Sequence, residues 1–265
     1  MNALGRSILL MLSLCLCLAS QTAAAQDDAP ALSIAYQQQV DRRLTPPPDE
    51  ARRYGALALD MLTLSNIALT VAQYVAVVDR SPYVQAILIY RLEPGISPLL
   101  IGASPVSTGR PGQFDHFETP LGTFAHTTTN PDFRAEGTKN ENGIRGYGAK
   151  GLRVFDLGWQ QAERGWGKGG VSTMRLQMHA TDADLLEPRL GSVQSKGCIR
   201  IPASLNRLLD RYGVLDLDYD GAVSAGRPVW VLPAGRSPVE EAGRYLIVVD
   251  TLRSTRPDWS PAPPL

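Results

Sequence analysis

The chain has 265 residues, with 26 basic and 26 acidic side chains and three histidines, so its formal net charge is zero. Nucleic acids and anionic lipid surfaces attract proteins with a clustered basic excess, so this balance argues against both as partners. The length suits one domain with extensions.

The first 25 residues are predicted to be a secretory signal peptide. Arg6 supplies a positive charge, an apolar run covers residues 8–18, and three alanines end at Ala25. The run is shorter than the ~20 apolar residues of a membrane span. We therefore expect secretion across the inner membrane into the periplasm, with no membrane insertion of the mature chain. A retained N-terminal anchor is the alternative.

Cleavage after Ala25 removes Cys15 and Cys17 and leaves Cys198 as the remaining thiol. One cysteine cannot form an intrachain disulfide, and secreted proteins usually pair their thiols or dispense with them. A reactive cysteine is therefore favoured over the alternative, an inert buried one.

Residues 26–70 are interpreted as a linker and an N-terminal helix. The first part ends in three prolines and predicts a flexible or extended spacer over residues 26–50. Apolar spacing then predicts a helix over residues 49–69. Residues 71–233 are assigned to a catalytic domain, and residues 234–265 to a C-terminal extension with a proline-rich, unstructured tail.

Within the predicted domain, β-branched and aromatic residues indicate strands. The expected strands are a hairpin formed by residues 73–78 and 83–90, then residues 99–106, 122–129, 171–178 and 229–232, and an outer strand at 245–249. A short amphipathic helix over residues 204–212 is expected to end at Gly213. The fold class is therefore mainly β (α+β).

Residues 130–170 are rich in glycine, with ten glycines from Gly137 to Gly170. Long glycine-rich segments inside compact domains are typical of lids, binding loops or mobile connections. Tyr147, Trp159 and Trp166 in this segment are expected either to shape a cleft or to anchor a lid.

Cys198 and His179 are the candidate nucleophile and base. A cysteine attacks a carbonyl as the thiolate, and a nearby imidazole either removes its proton or stabilises the anion as imidazolium. The spacing suits the end of one strand facing the end of the next. Gly197 lets the backbone approach a substrate closely, so the N–H groups of Lys196, Gly197 and Cys198 are candidates for an oxyanion hole.

Three motifs resemble those of one enzyme family. His179 is followed by fifteen residues and then by Ser-Lys-Gly-Cys-Ile-Arg at residues 195–200. Thr-Pro-Leu-Gly-Thr-Phe at residues 119–124 follows Ser-Thr-Gly-Arg-Pro-Gly at residues 107–112. Together they resemble the L,D-transpeptidases with a YkuD-like catalytic domain, over roughly Gln73 to Leu232.

The resemblance implies a YkuD-like β-sandwich or mixed sheet with Cys198 as nucleophile, His179 as base and the carbonyl of Ala180 orienting the imidazole. It implies an enzyme of the cell wall acting on peptidoglycan stem peptides. Such an enzyme attacks the bond after the L-centre of a tetrapeptide stem, releases D-alanine and passes the acyl group to an amine. The product is a 3→3 cross-link or an attached lipoprotein, and no cofactor is implied.

Lys196 departs from the family pattern, which usually has histidine there. Its ammonium group either lowers the pKa of the thiol or points away and leaves only the backbone N–H in the site. Two other functions stay open: an L,D-carboxypeptidase or amidase using the same Cys-His pair, and a non-catalytic wall-binding module. The joint presence of His179, Gly197 and Cys198 speaks against the last.

Ser195 and Arg200 are candidate substrate-binding residues. Ser195 is expected to form hydrogen bonds beside the substrate or within the loop. Arg200 either binds a stem-peptide carboxylate or holds the loop through carbonyl contacts. His116 and His126 are expected to face solvent or to form local hydrogen bonds. With His179 and Cys198 they lack the short paired spacing of structural zinc ligands, so no metal is expected.

Overall fold

The structure is a computed structural model that describes residues 28–260, 262 and 263. The predicted signal peptide lies outside these residues. The elements in chain order are α1 (Ala29–Gln39), α2 (Pro48–Leu64), β1 (Gln73–Asp79), β2 (Ala86–Leu92), β3 (Leu99–Pro105), β4 (Gly122–Ala125), β5 (Phe133–Arg134), β6 (Arg153–Glu163), β7 (Val171–His179), a 3-10 turn (Glu187–Arg189), β8 (Ile199–Arg200), α3 (Ala203–Tyr212), α4 (Leu217–Ser224) and β9 (Tyr245–Val249). Within the described ranges, none of the helices has both the length and the apolar character that a membrane span requires.

The first sheet has five strands in the order β3-β2-β1-β9-β4. Strand β1 pairs antiparallel with β2 and parallel with β9, so the sheet is mixed. One face packs on α2 through Tyr54, Ala58 and Leu62, while the other faces the main core. Burial on both faces explains why these strands are almost continuously apolar.

The second sheet has four strands in the order β5-β6-β7-β8 and is also mixed, because β7 and β8 run parallel. Its inner face contributes Phe155, Met174, Leu176, Met178 and Ile199 to the core shared with the first sheet, α1 and α3. Side chains alternate across a strand, so the intervening residues of β7 lie on the outer face. The protein is therefore an α+β fold with two mixed sheets and few helices.

Several predicted elements are confirmed. The hairpin forms from β1 and β2, with Val78 opposite Ile87. The amphipathic helix is α3, which ends at Gly213 with a φ of +58°. Helix α2 begins as predicted and ends earlier, at Leu64, because the chain turns at Asn66, where φ is +56°.

The predicted spacer over residues 26–50 is wrong for its first half, which forms α1. Leu32, Ala35 and Tyr36 are buried against the main core, and their i, i+3, i+4 spacing is that of a helix stripe. The Tyr36 hydroxyl donates to the carbonyl of Ala103, 2.6 Å away. This helix therefore belongs to the folded unit.

The glycine-rich segment contains a strand that the sequence did not indicate. Strand β6 runs for eleven residues through it and pairs with β7. The register shifts between Asp156 and Trp159, where Gly158 has a φ of +77°. A glycine at a bulge interrupts the period-two pattern, which is why β6 resembles a loop in sequence.

Near the C-terminus one strand prediction is wrong and a second is wrong in its position. Residues 229–232 form a turn between Pro228 and Pro233 and no strand. Strand β9 exists, but it lies between β1 and β4 and is not an outer strand. The predicted extension thus supplies an inner strand to the first sheet. Beyond it, Trp259 packs edge-on against Tyr54, with ring centroids 5.9 Å apart.

The contact between α1 and β3 requires glycine at position 102. A Cβ there would lie 2.3 Å from Cε1 of Tyr36, whose ring rests on the strand. We expect Gly102→Ala to lower the free energy of unfolding by about 1–3 kcal/mol in urea titrations. Gly221→Ala in α4, where no atom lies within 4 Å, serves as the control and is expected to be neutral or stabilising. Equal stability of the two variants would contradict this account.

Candidate active site

The strand pairing brings the candidate nucleophile and base to the same edge of the second sheet. In the parallel ladder, Met178 lies opposite Ile199 and His179 opposite Arg200. Met178 and Ile199 are buried in the core, so His179 and Arg200 lie on the outer face, and Cys198 directly precedes β8. His179 ends β7 and Cys198 lies just before the start of β8, so the two residues belong to neighbouring strands, with Arg200 and not Cys198 directly opposite His179.

His179 is fixed as a neutral imidazole with a defined tautomer. Its Nδ1 lies 2.5 Å from the carbonyl oxygen of Ala180, which only accepts hydrogen bonds, so Nδ1 carries the proton. Nε2 therefore has the free lone pair of a base. Burial lowers the pKa of His179 to about 4, the bond to Ala180 opposes this shift, and the charge of Arg200 adds to it.

Cys198 is a protonated thiol at neutral pH. Burial raises its pKa, although the backbone N–H of Gln177 and the guanidinium of Arg200 favour the thiolate. The thiol donates to the carbonyl of Arg175, with 3.6 Å between Sγ and oxygen. Among the described residues the thiol is bonded to this carbonyl and not to His179, so attack requires Sγ to turn towards the imidazole. Two neutral groups favour proton removal during attack over a stable thiolate–imidazolium pair.

Lys196 adopts the second of its two predicted roles. Its Nζ lies 3.1 Å from Oδ2 of Asp115, and both side chains are exposed. The ammonium group is absent from the causes that shift the pKa of Cys198. Only the backbone of Lys196 belongs to the site.

The three sequence motifs are joined by hydrogen bonds. The Thr119 hydroxyl accepts from the N–H of Gly109 at 2.9 Å and donates to the carbonyl of Gly197 at 2.7 Å. The carbonyl of Thr108 accepts from the N–H of Ser195 at 2.9 Å. A Cβ on Gly109 would lie 2.0 Å from the carbonyl oxygen of Phe117, so only glycine allows this approach. The motifs at residues 107–112 and 119–124 thus hold the loop that carries Cys198.

Ser195 and Gly197 shape the loop from within. The Ser195 hydroxyl donates to the carbonyl of Cys198 at 2.5 Å and accepts from the N–H of Gly197 at 3.0 Å. Its single hydrogen is used inside the loop, which favours the loop role over substrate binding. Gly197 has a φ of +127°, and a Cβ there would lie 2.8 Å from Sδ of Met174.

The predicted oxyanion hole loses one of its three donors, because the N–H of Gly197 is already bonded to Ser195. The N–H groups of Lys196 and Cys198 donate to no other described residue. These two donors are the ones available to a developing oxyanion.

Arg200 retains unused hydrogen-bonding capacity. Its Nη1 donates to the carbonyl of Gln194 at 3.2 Å, which is the loop contact that the sequence suggested. No carboxylate in the described part of the chain forms an ion pair with it, and burial lowers its pKa. The guanidinium can therefore serve both predicted roles, holding the loop and binding a carboxylate.

No family model matches this chain. A search of the curated proteins also gives no significant match.

Sequence reasoning missed the polar groups that support His179. The Tyr147 ring meets the imidazole edge-on with centroids 4.7 Å apart, and its hydroxyl donates to Oε1 of Gln177 at 3.0 Å. Nε2 of Gln177 donates to Asp156 at 2.9 Å. Tyr147 lies at the site, as one interpretation expected. Gln177 was detectable, because it lies two positions before His179 on a strand and so shares its face.

A buried network of charges lies behind this support, and the sequence did not indicate it. Asp132 accepts from the Asp156 N–H at 2.8 Å, from Nε of Arg153 at 2.6 Å and from Nε2 of His126 at 2.9 Å. Nδ1 of His126 faces the carbonyl of Leu215 at 2.9 Å. Both ring nitrogens therefore donate, so His126 is an imidazolium. Burial would lower its pKa, but Asp132 raises it above the ordinary value.

The remaining candidates lie apart from the thiol. His116 bonds through Nδ1 to the carbonyl of Phe114, and Trp166 packs on Phe117 with centroids 4.8 Å apart. The expectation that His126 faces solvent or forms local hydrogen bonds is wrong, because the ring is fully buried and bonds to Asp132 and to Leu215, which lies 89 residues away. Among the described residues, no three His, Cys, Asp or Glu side chains are grouped so that they could hold a metal ion.

Proposed function

We propose that the chain is a periplasmic cysteine L,D-transpeptidase with a YkuD-like catalytic domain. It forms a thioester between Cys198 and a peptidoglycan tetrapeptide stem, releases D-alanine and transfers the acyl group to an amine, either of another stem or of a lipoprotein. The proposal is supported by the meeting of all three motifs at the loop that carries Cys198, and by an imidazole oriented by Ala180 at the end of the neighbouring strand. The predicted leader supports export.

In the proposed first half-reaction, the thiol of Cys198 leaves its hydrogen bond to the carbonyl of Arg175 and turns to His179. Nε2 of His179 accepts the thiol proton as Sγ of Cys198 bonds to the scissile carbonyl carbon. The carbonyl oxygen becomes an oxyanion that the N–H groups of Lys196 and Cys198 stabilise. The carbon–nitrogen bond then breaks, and the imidazolium gives its proton to the departing amine of D-alanine. The product is a thioester and a neutral imidazole.

The second half-reaction reverses these roles. The acceptor amine attacks the thioester carbon and gives a proton to His179. The tetrahedral intermediate expels the sulfur of Cys198, which regains its proton. An amide replaces the thioester, and the free thiol is restored. Water in place of the amine would give the hydrolytic alternative, an L,D-carboxypeptidase or amidase.

Mass spectrometry of products from defined tetrapeptide muropeptides tests the proposal. The wild-type protein is expected to yield free D-alanine and 3→3 dimers, whereas Cys198→Ala yields neither. Lys196→Ala is the matched control in the same loop and is expected to keep activity within about twofold, because its exposed ion pair contributes little. Tripeptide monomers without dimers would identify the hydrolytic enzyme. Dimers formed by Cys198→Ala would exclude this nucleophile.

A further inference from the structure

The outer face of β6 and β7 presents an exposed tryptophan on the same sheet as the thiol. Arg175 lies on the outer face because its neighbours Met174 and Leu176 point into the core. Trp159 is its cross-strand partner, and 63% of Trp159 is exposed. The carbonyl of Arg175 is the group that accepts from Cys198. Trp159 and Arg175 together form a surface that we name the indole platform.

The positive charge of the indole platform lies on Arg175 and is already neutralised by a carboxylate. The guanidinium carbon of Arg175 lies 5.6 Å from the Trp159 ring centroid, a cation–π arrangement. Its Nε donates to Oδ2 of Asp156 at 2.8 Å, which is an ion pair. Arg200, on the other side of the thiol, has no such pair among the described carboxylates. The two arginines therefore suit different ligands: Arg200 suits a carboxylate, and the platform suits an uncharged ring.

The flanking groups favour a ring that also forms hydrogen bonds. Gln161 and Thr173 continue the same face of the sheet, are exposed, and bond to each other at 3.0 Å. An uncharged ring with one apolar face and a rim of hydroxyl and amide groups matches an indole surrounded by such polar side chains. An N-acetylated sugar has this chemistry.

The spacing fits the proposed substrate. Release of the fourth residue of a tetrapeptide places the third residue's carbonyl at Cys198, so three residues separate the thiol from the sugar that bears the stem. Three extended residues span roughly 10 Å. Cys198 continues β8, and Trp159 lies two strand spacings away on β6, also roughly 10 Å.

From these contacts we infer that Trp159 and Arg175 bind a sugar ring of the glycan strand that carries the stem peptide. This inference rests on the proposed function and deepens it, because it makes the glycan part of the recognised substrate. The stem then crosses the outer face of the sheet from β6 to the thiol, with its terminal residues beside Arg200.

A binding experiment that needs no catalysis tests the platform. The Cys198→Ala protein is titrated with the tetramer of β-1,4-linked N-acetylglucosamine in a calorimeter. Trp159→Ala is expected to weaken binding about tenfold, and Trp159→Phe to retain part of the affinity. Trp230→Ala is the matched control, since Trp230 is 72% exposed and lies in the turn at residues 229–232. Unchanged affinity in Trp159→Ala, or no binding at all, would overturn the platform.

A kinetic comparison separates this inference from the proposed function. Release of D-alanine is measured from a free tetrapeptide and from the same peptide attached to its disaccharide. Trp159→Ala is expected to raise KM about tenfold for the sugar-bearing substrate and to leave the free peptide unchanged. Equal loss with both substrates would overturn the sugar assignment. If the wild-type protein releases D-alanine from neither, the proposed function fails, and the titration still decides whether the platform binds sugar.

Discussion

In the proposed transpeptidase reaction, His179→Gln is expected to lower the rate of D-alanine release by about 10²–10⁴-fold, the usual contribution of a positioned general base. Glutamine is similar in size to histidine and still forms hydrogen bonds, but its amide cannot accept the thiol proton. His116→Gln is the matched control, because His116 contacts Phe114 away from the thiol, and its activity is expected to stay within twofold. Comparable losses in both variants would contradict the assignment of the base.

The pH profile supplies a second test of the same residue. Burial lowers the pKa of His179 to about 4, so the ring is a proton acceptor above that pH and is blocked below it. Burial raises the pKa of Cys198, so the thiol still carries its proton at neutral pH. The wild-type rate is therefore expected to rise through about pH 4 and then level off, and His179→Gln loses this rise. A rate that falls again as pH rises through or above the ordinary histidine pKa of ~6.5 would instead indicate a thiolate–imidazolium pair, because that pair needs a protonated ring.

Arg153→Met is expected to lower the free energy of unfolding by about 3–5 kcal/mol, because it removes the cation from a buried charge network. Arg153 is fully buried and donates to Asp132 at 2.6 Å and to both carboxylate oxygens of Asp216 at 2.8 Å. Its guanidinium also lies 4.8 Å from the Tyr219 ring centroid. Methionine fills the space but leaves two carboxylates buried near one another.

Urea titration at neutral pH measures this effect. Arg52→Met is the control, since its ion pair with Asp49 is on the surface, where such pairs contribute about 0–1 kcal/mol. Arg153→Lys keeps the charge but loses the bidentate hydrogen bonds to Asp216. Its stability is therefore expected to fall between those of Arg153→Met and the wild type. Wild-type stability in Arg153→Met would show that this network contributes nothing.

Local patterns predicted the elements in which one face of a regular structure is apolar. The β1–β2 hairpin and α3 follow from period-two and period-3.6 spacing, and Gly213 marked the end of α3. The strand before His179 was predicted too, and the separation of His179 from Cys198 suited neighbouring strands, which β7 and β8 are. These features depend on residues close together in the sequence, so a single sequence is enough to predict them.

Contacts between residues far apart in the sequence could not be predicted. Arg153 meets Asp216 only after the chain has folded, and nothing in the sequence around either residue specifies the other. The bulge at Gly158 interrupts the alternating pattern of β6, so this strand was not predicted. A strand was wrongly predicted at residues 229–232 although prolines flank them. The capture of the Gly197 N–H by Ser195 depends on the tight local path of the loop, which residue types do not reveal.

The position of β9 has a consequence for how the protein matures. Val75, near the start of the first sheet, pairs with Tyr245, close to the end of the chain. Contacts so far apart form late, and a polypeptide delivered N-terminus first lacks this central strand until its last segment emerges. The first sheet is therefore completed only when residues 245–249 are available to pair with β1 and β4.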